Sequence, residues 1–150
     1  MLTGARLPIL VFCLINFMKI KEIPISDEEL RVMLETGYIL REASRFDEAE
    51  AVFRGVMEFL PESEVPQVGL GTVFLQRGDF ASAQKICQQA LQTQPSSLYA
   101  RVHYAEALLF SRKRDEAENE LKEIIGSAPD SPHSHTAQSL LDAADLISPR

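Results

Sequence analysis

The sequence predicts an all-α protein, a solenoid of three helical hairpins closed by a C-terminal capping helix. Three observations carry that prediction. The octapeptide "FDEAEAVF" (46–53) returns in looser form as "FASAQKIC" (80–87) and "RDEAENEL" (114–121), with starts 34 residues apart. Other columns keep the same interval: Pro61, Pro95 and Pro129; Ala49, Ala83 and Ala117; Gly37, Gly71 and Ala105; Phe53, Cys87 and Leu121. Between the prolines the apolar residues fall on one helical stripe, as in Phe80, Ala83, Cys87, Ala90 and Leu91.

Residues 1–25 form an apolar N-terminal segment. Its run "LPILVFCLINFM" (7–18) is shorter than the roughly 20 residues that a membrane-spanning helix needs. Three readings stay open. Translation starts at Met18, whose "MKIKEIPISDEEL" reads as an ordinary N-terminus. The run is a targeting signal, although "KIKE" after it supplies no small-residue cleavage site. Or it is a hydrophobic arm that packs on a partner subunit. A chain starting at Met18 is expected to fold and melt like the full chain, because the repeats and cap close their own core. The expected location is the cytoplasm, or the periplasm or a membrane surface if residues 1–20 are a targeting segment.

Residues 26–150 form the repeat domain. Ser26 and Glu29 have the spacing of a capping box ahead of the first helix. The repeats run 30–63, 64–97 and 98–131, each a helix, a short turn and a second helix. In the middle copy these are 64–76, "RGD" (77–79) and 80–92, with Gly78 suited to a left-handed turn and Pro95 breaking the second helix. Helix axes in a hairpin approach to about 8–10 Å, so the recurring Gly and Ala are contact points. Ser131 and Pro132 open a capping helix over 132–147 with Leu140, Leu141, Ala144 and Ile147 on one face. Seven helices are expected between 27 and 147.

The net charge of -7 argues against a nucleic-acid partner. Two cysteines make no disulfide framework, and Cys87 falls where a thiol acts as a small buried hydrophobe. The carboxylate pairs Asp47–Glu48 and Asp115–Glu116 sit in first helical turns and complement the helix dipole. His133 and His135, two apart, point to different faces of a helix and read as a solvated helix start; His103 reads as a groove or interface residue. "GLGTVF" lies inside a helical pattern and is no phosphate cradle. No catalytic residue, metal site, cofactor or small-molecule substrate is predicted, and the protein is not expected to be an enzyme.

The stretch "GLGTVFLQRGDFASAQKICQQALQTQP" resembles a tetratricopeptide repeat, through Gly71, Phe74, Gly78, Phe80, Ala83, Cys87, Ala90–Leu91 and Pro95. Copy one departs at Ser44 and Val56, and copy three at Arg112 and Arg114. The resemblance implies a concave groove lined by the first helices. Its positions are Arg31, Leu34, Tyr38 and Arg41, then Val65, Val68, Thr72 and Leu75, then Tyr99, Val102, Glu106 and Leu109. The family's clamp for a peptide carboxylate would need Lys, Asn and Arg where Leu34, Tyr38, Gly69, Tyr99 and His103 stand, so this groove suits a hydrophobic peptide segment. With three repeats, an acidic balance and small size, the chain is similar to the bacterial type III secretion chaperones that hold hydrophobic translocators. The implied partner is a protein or peptide, with homodimer formation also compatible. The alternative is a generic assembly adaptor or scaffold in the cytoplasm or cell envelope.

Overall fold

Ser63, Ser97 and Ser131, spaced 34 apart, each start a helix in the computed structural model, which describes residues 24–150. Each hydroxyl accepts from a backbone N–H two or three residues on, that of Val65, Ala100 and Ser134 respectively. The first helix starts differently: Ser26 accepts from the Glu29 N–H while the Glu29 carboxylate accepts from the Ser26 N–H at 2.8 Å. That box lets the helix begin three residues ahead of the repeat register.

The helices are α1 (Asp27–Glu42), α2 (Phe46–Phe59), α3 (Glu64–Arg77), α4 (Phe80–Thr93), α5 (Leu98–Phe110), α6 (Arg114–Ser127), α7 (Pro132–Asp142) and α8 (Ala144–Ile147). No strand occurs among the described residues. Consecutive helices pack as hairpins, and the first helices of neighbouring hairpins also touch, α1 with α3, α3 with α5 and α5 with α7. This is the solenoid predicted above, with α1, α3, α5 and α7 side by side along one surface.

Each of the first three hairpins turns in the same way. Ser44, Gly78 and Arg112 take left-handed φ values of 58°, 83° and 63°. The next residue's N–H then reaches back to a carbonyl in the last helical turn: Arg45 to Leu40, Asp79 to Phe74 and Lys113 to Leu108. Ser44 and Arg112 depart from the glycine pattern in sequence but hold the same backbone.

The small residues sit at close contacts. Ala49, Ala83 and Ala117 are fully buried. The Phe53 ring lies between the backbones of Gly37 and Gly69, where an added Cβ would stand 2.9 Å and 2.4 Å from it. Gly71 faces Cys87, with only 2.8 Å from a would-be Cβ to Sγ. Every residue from Pro66 to Phe74 is buried, so α3 is the axis of the stack.

The cap differs from the expectation. Instead of one helix over 132–147 there are two, which makes eight helices among the described residues rather than seven. The chain bends at Ala143, and α8 lays Ala144 and Ile147 over Leu108, Leu109 and Ala117. Arg114, where the other copies have Phe46 and Phe80, holds this tail by donating to Asp145 Oδ1 (2.6 Å) and the Ser148 carbonyl (3.1 Å). A straight helix would leave the end of the core uncovered.

The expectations for the apolar run 7–18 and for a start at Met18 lie outside the described residues. Among the described residues, no helix is long and apolar enough to cross a membrane.

Candidate peptide-binding groove

The register places one residue of each first helix at equivalent points of the concave surface, and the observed packing decides which of them are open to a ligand. Val68, Val102 and Leu109 are not: each is at most 2% exposed. Val68 packs with Ala90 and Ala100, Val102 with Leu121, Ile124 and Ala137, and Leu109 with Ala117 and Ala144. These three expected groove residues are core, because the adjacent hairpin or the cap covers them; Thr72, expected in the groove as well, is also buried, at 5% exposed. Gly69, expected near the groove, lies against Phe53 instead. Leu34 and Leu75 are half-buried against the main core, and Val65 is exposed near the start of α3. Arg31 stays on the outer surface of α1, paired with Glu28 and Glu35.

What remains on the concave face is aromatic with polar tips. The Tyr38 and Tyr99 hydroxyls hydrogen-bond to each other at 3.0 Å, linking α1 to α5 across α3. The Tyr38 ring meets Phe53 edge-on at 5.1 Å, and Tyr99 rests on the Val68 cluster. Burial and then the Tyr38 hydrogen bond push the Tyr99 hydroxyl well above its ordinary pKa, so it stays a proton donor. Arg41 lies over the Tyr38 ring, 5.3 Å from its centroid, and donates through Nη1 to Thr72 Oγ1 at 2.7 Å. The Thr72 hydroxyl passes the bond on to the Gly69 carbonyl at 2.7 Å. On α5, His103 packs edge-on to Tyr99, with its Nδ1 2.9 Å from the Glu106 carboxylate. Behind this face, burial and the Glu106 charge push the Cys87 thiol up to about 12, which leaves it a protonated, inert core group.

His133 completes the row and was read from sequence as a solvated helix start. Its ring lies 6.0 Å from that of Tyr99. The signal was present: His133 stands 34 residues after Tyr99, so α7 is the first helix of a fourth, incomplete repeat as well as a cap. His135 points elsewhere and is exposed. No cluster of three His, Cys, Asp or Glu side chains able to hold a metal occurs among the described residues.

Residues 74–141 match the family model described as tetratricopeptide repeat. The chain has the tetratricopeptide-repeat fold. Solved structures agree with this assignment. The type III secretion translocator chaperone SycD of Yersinia enterocolitica, in its alternative dimer, superposes with a TM-score of 0.71 at 20% identity, covering 83% of this chain and 97% of that one. PcrH from Pseudomonas aeruginosa gives 0.71 at 19% identity, covering 81% and 95%. PcrH in complex with the chaperone binding region of PopD gives 0.69 at 19%, covering 83% and 97%. Among curated proteins, human DnaJ homolog subfamily C member 3 is 29% identical over 112 residues; the match takes in 75% of this chain but spans only 22% of that protein's length. In this tetratricopeptide-repeat solenoid Tyr38, Arg41, Tyr99, His103 and His133 lie together along the first helices.

Proposed function

We propose that this protein binds an extended segment of a partner protein in its concave groove and shields it, as a small secretion-type chaperone without catalytic activity. The observation that carries the reading is the bridged Tyr38–Tyr99 pair at the centre of the groove. Two fixed aromatic faces suit apolar side chains, while the hydroxyls, Arg41 and His103 offer hydrogen bonds to the backbone of a ligand that has no secondary structure of its own. The occupant is therefore less purely hydrophobic than the sequence implied: apolar side chains must alternate with an accessible main chain. The superposition on PcrH solved with a segment of its partner supports this use of the groove.

An array of unrelated extended peptides, titrated by fluorescence anisotropy, tests the proposal. Peptides with alternating apolar residues should bind best. Tyr38→Ala and Tyr99→Ala should each weaken the best binder at least about tenfold, since aromatic anchors dominate such interfaces. Glu58→Lys on the exposed side of α2 should leave binding unchanged, and moderate salt should weaken it little. Binding lost in Glu58→Lys and in salt, but kept in both tyrosine variants, overturns the groove.

A further inference from the structure

Arg41 stands at a repeat position that is apolar elsewhere. At the same interval its equivalents are Leu75, Leu109 and Ala143. Its side chain is mostly buried, 18% exposed. A cation withdrawn from water costs free energy unless an anion and hydrogen bonds answer it. Arg41 is answered only in part. Nη1 donates to Thr72 Oγ1, and the guanidinium lies over the Tyr38 ring. Nε is buried with no acceptor. Among the described residues its one ion-pair partner is Glu42, through Nη2. That partner is a weak one. Its side chain is 64% exposed, and as the last residue of α1 it sits at the negative end of the helix dipole. Packing alone does not call for a guanidinium here, since leucine fills the place in the next two repeats.

We infer, resting on the groove reading above, that Arg41 is a specificity residue: it takes a carboxylate, carried as an Asp or Glu side chain within the bound segment. Three observations select this ligand chemistry. Arg41 lies over the ring of Tyr38, whose hydroxyl bonds to that of Tyr99, so a segment resting on those two rings passes the guanidinium. The Thr72 bond and the Tyr38 ring hold the planar donor fork in place before a ligand arrives, which lowers the cost of ordering it. Nη2 already holds the exposed Glu42 carboxylate, so this edge accepts such a group. A ligand carboxylate, shielded by the segment that carries it, is a stronger partner than the solvated Glu42. Glu106, on the same face, is engaged with His103 instead. The net charge of -7 repels a ligand carboxylate over most of the surface. Arg41 therefore sets the register of the segment, with the acidic residue beside it and the apolar neighbours on Tyr38 and Tyr99.

The test uses the whole protein and the alternating apolar peptides of the groove assay, acetylated and amidated so that only a side chain supplies a carboxylate. Glu and Gln are compared at each non-apolar peptide position in turn by fluorescence anisotropy. At one position Glu should bind about tenfold more tightly than Gln. In Arg41→Gln that ratio should fall to about one, whatever the variant does to affinity as a whole. Glu42→Gln, an exposed change, should raise the ratio instead, because the competing carboxylate is gone. A wild-type ratio near one at every position, with tyrosine-dependent binding retained, overturns the inference and leaves the groove standing. So does a ratio that survives Arg41→Gln, or a gain that comes only from a free C-terminal carboxylate. If Arg41→Gln fails to fold, Glu42→Gln decides, and an unchanged ratio there overturns the inference. Loss of all tyrosine-dependent binding overturns the groove and Arg41's role together.

Discussion

The second and third hairpins share a register but are held by different chemistry. In the second, Phe80 at the start of α4 stacks on Phe110 of the following repeat, with ring centroids 5.3 Å apart. In the third, the position equivalent to Phe110 is Ala144, so the equivalent Arg114 has no ring to stack on. It pairs with Glu118 on its own helix and reaches Asp145 and the Ser148 carbonyl in the tail. The second hairpin turns on Gly78 and the third on Arg112, which adopts the same left-handed backbone despite its side chain. The second brings Gly71 against Cys87, while the third has Ala105 near Leu121. The difference teaches that a repeat position is defined by its neighbour. The second repeat meets the next unit through stacked rings, and the last one is tied by charge to a folded-back tail.

That contrast can be broken most severely at the hairpin contact. Gly71→Val places carbon within 3 Å of the Cys87 sulfur in a fully packed site and should destabilise the protein by about 1–3 kcal/mol. Cys87→Ala in the same chain should recover part of that loss, because the clash is with that side chain. Chemical denaturation of the two single variants and the double variant measures this. A Gly71→Val loss untouched by Cys87→Ala would mean that the strain lies elsewhere.

The turns give a smaller effect with opposite signs in the two hairpins. Gly78→Ala puts a Cβ on a residue at φ 83° and should cost about 1 kcal/mol, whereas Arg112→Gly relieves a residue at φ 63° and should gain about as much. Equal losses in both would show that the Arg112 side chain outweighs its backbone strain.

The smallest effect is expected from acid at the third hairpin. The Arg114 guanidinium and then the Lys122 ammonium pull the Glu118 carboxyl down to about 2 from an ordinary 4.5. A carboxyl lowered on folding stabilises the protein fully above its unfolded pKa, and the contribution fades as the pH falls from about 4.5 towards 2. Melting wild type and Glu118→Gln from pH 6 to pH 2 should show a gap that closes over that window. The second hairpin, held by stacked rings, should show no matching step when Phe80→Leu is compared with wild type. A gap that stays constant to pH 2 would sever Glu118 from the tail.

Much of the architecture was legible because a helical hairpin is specified locally. The 34-residue columns located the hairpin helices, the turns and the contact alanines, and Ala49, Ala83 and Ala117 are all buried. The groove was legible only as a list of positions. Position along a helix fixes the direction of a side chain, not what lies in front of it. Val68 points towards the concave side and is roofed by Tyr99; Leu109 is roofed by α8. His133 escaped notice because the last helix was read as a cover and not also as a further first helix.

The sequence by itself determined the unit, its length and its three complete copies, since helix starts and breaks depend on residues within one or two turns. It also determined the absence of a Lys, Asn and Arg carboxylate clamp at the corresponding positions. Only the tertiary structure decided that Gly37 and Gly69 form the slot for Phe53, that Tyr38 and Tyr99 meet although 61 residues apart, and that the cap bends at Ala143 to bury Leu109. Those outcomes depend on the distance between neighbouring hairpins, which is set by the summed packing of every side chain between them and is written in no single stretch of the chain.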